Sequence, residues 1–152
     1  MKTQPSFSEF KQLAQQGNLI PVYQEFLADT ETPVSAYLKL RDGSYSYLIE
    51  SADGCKRWGR YSFIGCKPYL SVVSRDRDDE IWREDAREIL ADAGNPLDIL
   101  RELSAEFKPV TVKDLPPFQG GLVGYCNYDL VRKWEHLPGI APADHQFPEV
   151  VF

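Results

Sequence analysis

Three helix-start signals partition this chain. Ser6-x-x-Glu9 is a capping box, Thr32-Pro33 sets an N-cap before a proline, and Asn95-Pro96 repeats that arrangement. Each fixes where a helix begins, so each limits how the residues between them can fold. The first predicts a helix over 6–16, with Phe7, Phe10, Leu13 and Ala14 on one face and Gly17 as its stop. The second predicts a helix carrying Val34, Tyr37, Leu38 and Arg41 and ending at Asp42-Gly43. The third predicts a helix over 96–107 with Leu97, Leu100, Leu103 and Phe107 as its apolar face. Asp129 to Trp134 reads as a further short helix.

The intervals are short and β-prone. Leu19 to Phe26 is extended, and Pro21 restricts it to an edge or irregular strand. Tyr45 to Ser51, Tyr61 to Gly65 and Tyr69 to Ser74 follow as strands, and Glu80 to Arg83 answers the last across a charged turn. Arg87 to Leu90 suits a short strand or a helix. The expected class is α+β, with mainly antiparallel short strands and three to four helices. The 152 residues are enough for one domain with a real core. A hydrophobic content of 43% and a charged content of 26% exclude wholesale disorder.

Two stretches are denser in information than the rest. From Leu48 to Gly65 an apolar run ends abruptly on Glu50, Ser51 and a turn, Arg57 and Arg60 flank Trp58-Gly59, and a second apolar run follows. A strand end that delivers a carboxylate and a hydroxyl side by side suits a small polar ligand, and also suits an ordinary polar turn. From Phe118 to Arg132, Gly120, Gly121 and Gly124 interrupt a β-like run, which argues for close backbone approach or a bulge, and the run reads as a central strand packed tightly under a helix. That spacing matches no phosphate-binding loop.

The remaining totals mostly exclude. A net charge of −6 without a basic cluster excludes a nucleic-acid partner. No apolar run approaches the roughly 18 residues of a membrane span and no secretory signal is visible, so a cytoplasmic location is expected. Cys55, Cys66 and Cys126 are too scattered for a disulfide framework, and His136 and His145 complete no metal-ligand pattern. No catalytic set and no metal site is assigned. Phe147 to Phe152 is a strand-like run, and is read as the point where a longer protein has been cut.

Taken in order, Ile20-Pro21-Val22-Tyr23, Leu48-Ile49-Glu50-Ser51-Ala52, Gly59 to Gly65, Gly120 to Tyr125 and Tyr128 to Arg132 resemble the N-terminal region of anthranilate synthase component I. The resemblance covers nearly the whole chain. It implies the N-terminal part of a two-domain large-subunit fold, with residues 1–152 as a truncated regulatory domain and the chorismate-binding catalytic domain absent. Members of this family convert chorismate to anthranilate, a carbon–oxygen lyase reaction of tryptophan biosynthesis. Their ammonia comes from a glutamine amidotransferase subunit, and their Mg2+ site lies in the missing domain. This chain alone is then expected to be inactive. The resemblance further implies an L-tryptophan feedback site that includes Glu50 and Ser51, with Ile49 walling the indole. Arg60 or Tyr61 stands nearest the basic residue that follows the motif in some members. The related aminodeoxychorismate synthase component I, of the folate pathway, is the alternative within the same fold. A stand-alone ligand-binding or interaction module is the alternative from another class.

Overall fold

The structure is a computed structural model. It describes residues 2–43, 45–51, 61–75, 78–83, 86–91, 94–113, 115–138 and 147–152. They divide into two compact units, Met1–Pro68 with Pro109–Gln119, and Tyr69–Lys108 with Gly120–Phe152. Among the described residues the class is α+β with antiparallel sheets, as the sequence pattern predicts.

The first unit holds helices α1 (Phe7–Leu13) and α2 (Pro33–Leu40) and strands β1 (Tyr47–Glu50) and β2 (Ser62–Gly65). Both helices start where local chemistry satisfies their unpaired N–H groups. The Glu9 amide donates to Ser6 Oγ at 3.4 Å while the Ser6 amide donates back to the Glu9 carboxylate at 2.8 Å. At α2 the reciprocal pair is Thr32 and Ser35, at 3.1 and 2.9 Å, with Pro33 at the first position. α1 stops at Leu13, and its last turn is tightened by Gln15 N–H to Gln12 O and Gln16 N–H to Leu13 O bonds. Neither helix fully buries a side chain. The extended segment after α1 makes only isolated bridges, Gln4 with Tyr23 and, in parallel, Leu19 with Pro109.

The second unit is a five-stranded sheet in the order β5-β4-β3-β7-β6, crossed by α3. Its strands are β3 (Leu70–Arg75), β4 (Asp78–Arg83), β5 (Ala86–Ala91), β6 (Tyr125–Cys126) and β7 (Val150–Val151), and α3 spans Pro96–Ala105. Asn95 Oδ1 caps α3 by accepting from the Leu97 amide at 3.1 Å. One sheet face and α3 close a core of Val72, Ile81, Ile99, Leu100, Leu103, Leu130 and Val150. Ile99 adds to the face predicted from periodicity. Phe107, beyond the helix end, instead meets the Tyr69 ring edge-on at 6.3 Å. Leu130 enters from a 3-10 helix, Tyr128–Lys133, capped by Asn127 Oδ1 on the Leu130 amide. On the opposite sheet face Glu80 holds Arg87 at 2.8 Å and Arg75 at 3.5 Å and accepts from Trp82 Nε1 at 3.2 Å. Arg87 lies 5.2 Å over the Trp82 ring.

The glycine-rich run departs from its predicted central strand. Only Tyr125–Cys126 pairs, and it forms the sheet edge. The interior place beside β3 belongs to β7, which pairs Val151 with Val73 on one side and with Tyr125 on the other. The reason is the close approach that the glycines allow: a Cβ on Gly124 would lie 1.9 Å from the Val151 carbonyl oxygen. Residues 139–146, most of the predicted Pro-rich loop, lie outside the described residues. Among the described residues no helix is long and apolar enough to cross a membrane.

Candidate functional site

The stretch singled out in the sequence forms an antiparallel strand pair in the first unit. Tyr47 faces Gly65, Leu48 faces Ile64, Ile49 faces Phe63 and Glu50 faces Ser62. Period-two alternation then sorts the side chains. Tyr47 and Ile49 share one face with Phe63, and Leu48 and Glu50 share the other with Ile64 and Ser62. The Tyr47 ring fills the space over Gly65, where a Cβ would sit 2.2 Å from its edge. Burial there pushes the Tyr47 phenol above its ordinary pKa. α2 flanks this pair, and its Tyr37 hydroxyl lies 3.2 Å from Ser46 Oγ.

Glu50 ends β1 and is exposed, and Ser51 follows it, also exposed. Across the pair, Ser62 Oγ donates to Glu50 Oε1 at 3.3 Å. The strand end therefore presents a carboxylate and two hydroxyl-bearing residues, Ser51 and Ser62. A carboxylate accepting one hydroxyl keeps capacity for an ammonium group. Tyr61 lies just before β2, its ring 5.9 Å from Phe63. Arg60 lies outside the described residues. Ile49 sits on the face opposite Glu50, so one ligand reaching both lies across the end of the pair rather than on either face.

Three contributors were not singled out from the sequence. Ser62 and Phe63 follow from the register of the pair, which the two apolar runs do not reveal by themselves. Phe118 arrives from the distant 109–119 segment and meets Phe63 edge-on at 5.3 Å and 82°. Among the described residues no group of His, Cys, Asp and Glu is arranged to hold a metal ion.

No family model matches the chain. Curated relatives do. Anthranilate synthase component 1 of Synechocystis sp. is 43% identical over 151 residues, covering 97% of this chain and 29% of the relative. The protein of that name from Acetivibrio thermocellus is 40% identical over 151 residues, covering 97% and 30%. That from Pseudomonas aeruginosa is 46% identical over 137 residues, covering 88% and 27%. The chain thus spans about 30% of the length of the curated relatives it matches. Identity at this level along nearly the whole chain makes it a homologue of anthranilate synthase component 1, corresponding to the N-terminal part of that protein.

Proposed function

We propose that this chain is the regulatory N-terminal domain of an anthranilate synthase large subunit and contributes Glu50 and Ser51 to an L-tryptophan feedback site. The whole protein converts chorismate to anthranilate in the cytoplasm, using ammonia from a glutamine amidotransferase partner. Chorismate and Mg2+ are handled by residues outside this chain, and no residue of this chain is assigned to the chemistry. The names of the relatives support the enzyme. The observation that carries the regulatory reading is the exposed end of β1, where Glu50 stands beside Ser51 and accepts from Ser62.

At that end the ligand's ammonium group pairs with Glu50 and the Ser51 hydroxyl bonds a second polar group, while Ile49 and Tyr61 offer apolar surface across the strand end. An exposed carboxylate attracts a cation by only about 1 kcal/mol or less, because water screens it. Useful affinity then requires a cover that excludes water, supplied by the rest of the protein. The isolated chain accordingly binds tryptophan weakly. Closure of that cover over tryptophan favours one placement of the domains and opposes chorismate binding, and the opposition is reciprocal.

The test is Ser51→Phe in the full-length protein, whose ring occupies the ligand's place beside Glu50. The expected result is a rise of about tenfold or more in the half-inhibitory tryptophan concentration, with uninhibited turnover retained. Parental sensitivity in that variant would sink the site assignment.

A further inference from the structure

We infer that Phe118, held in place by Gln119, is a positioning residue for the tryptophan response at Glu50 and Ser51; the inference rests on the function proposed above. The segment that carries Phe118 is separated from β2 by the entire 69–108 stretch, yet it returns to the first unit. It is fastened there beside Leu19 and tied back on itself by Gln119. The Val110 amide donates to Leu19 O at 2.9 Å, beside the Leu19–Pro109 bridge, and the Val110 side chain is buried. Farther on, the Gln119 side-chain amide donates to Val112 O at 3.1 Å and accepts from the Val112 amide at 3.4 Å. One side chain thus does what a neighbouring strand would do, closing residues 112–119 into a loop.

The loop presents Phe118 edge-on to Phe63, and Phe63 is the direct cross-strand partner of Ile49. Glu50 and Ser51 are the next two residues. A two-stranded pair is marginal by itself in water, so outside contacts decide how much of the time its end is ordered. Where only part of the population has the ligand-ready arrangement, apparent affinity falls by that fraction. Phe118 supplies such a contact from the β2 side without touching the ligand. Gln119 sets the direction from which it does so.

The experiment compares full-length Phe118→Leu, Phe118→Tyr, Gln119→Ala and Ser51→Phe variants by tryptophan inhibition at fixed chorismate, together with kcat and KM. Phe118→Leu is expected to raise the half-inhibitory concentration about 3- to 10-fold, the share of one aromatic edge contact. Its kcat and KM stay within about twofold of the parent. Phe118→Tyr keeps the ring and restores parental inhibition, and Gln119→Ala shifts in the direction of Phe118→Leu. Loss of kcat in step with sensitivity makes Phe118 a structural residue and overturns the inference. Parental sensitivity in Phe118→Leu, beside insensitivity in Ser51→Phe, overturns the inference and leaves the functional reading standing. Parental sensitivity in Ser51→Phe overturns that reading itself.

Discussion

Among the described glycines of the second unit, Gly124 is the one whose added Cβ meets backbone atoms most closely, so Gly124→Ala is expected to destabilise that unit. The added Cβ falls 1.9 Å from the Val151 carbonyl oxygen and 2.6 Å from Phe152 Cα. Both are backbone atoms, so no side-chain rotation relieves the overlap. Restoring ordinary contact moves either segment by roughly 1.5 Å. The motion strains the two hydrogen bonds by which Phe152 joins Val72, at 2.8 and 2.9 Å. Their net worth is about 1–3 kcal/mol together. Partial withdrawal of Val150 and Phe152 from the core adds about 1 kcal/mol. The expected total is about 2–4 kcal/mol, in the range of a strained core. Urea unfolding followed by tryptophan fluorescence reads it, and amide exchange at Val72 and Phe152 locates it. Gly94→Ala is the control in the same unit: its φ of +88° is unfavourable for alanine, but nothing lies within 4 Å of the added carbon, so about 1 kcal/mol is expected. A Gly124→Ala loss no greater than the control's, or faster exchange elsewhere but not at Val72 and Phe152, refutes the packing argument.

Gly65→Ala drives the Tyr47 ring from its seat in the first unit. The phenol then loses the burial that raises its pKa, and ultraviolet titration should show its transition moving down towards the ordinary value of about 10. An unmoved transition refutes the seat. Glu80→Gln tests the surface network. The Arg87 bond holds the Glu80 carboxyl below its ordinary pKa, burial opposes this, and Trp82 and Arg75 add to the lowering. A carboxylate lowered in the folded state stabilises above its unfolded pKa. That contribution fades as pH falls from about 4 through the lowered value. The native chain should therefore exceed Glu80→Gln by up to about 1 kcal/mol at neutral pH. The gap should narrow in acid, and a gap independent of pH in urea titrations at pH 7 and pH 3 counts against it.

The parts of the fold written in local chemistry were legible. Ser6, Thr32 and Asn95 cap the helices that they predict, because a cap needs only the next few residues. The β3–β4 hairpin follows equally from adjacent alternating runs, and β5 resolves the segment left open between strand and helix. The glycine-rich run misled because its backbone proximity to Val151 and Phe152 is a tertiary fact. Glycines show that something approaches, but not whether the run is the centre or the edge. At the candidate site, the Glu50-Ser51 strand end was readable from an apolar run meeting two polar residues. The Ser62 contact needed the register, and Phe118 needed a return of chain from beyond residue 108. Tyr61 lies at the mouth of the pair, whereas alternation sends Ile49 to the face away from Glu50.

The position of β7 has a temporal consequence. β3 finds its inner neighbour only at Val150 and Val151, roughly 80 residues later, and at ~5–20 residues per second a ribosome needs on the order of 4–16 s to supply them. During that interval the β3–β4–β5 hairpins can form, but β3 shows water an open row of amides and carbonyls beside Val72 and Val73. Such an edge is the kind of surface that recruits strands from other nascent chains. Holding factors that bind extended apolar segments should matter most in this window, and slowing translation between residues 92 and 149 should increase aggregation.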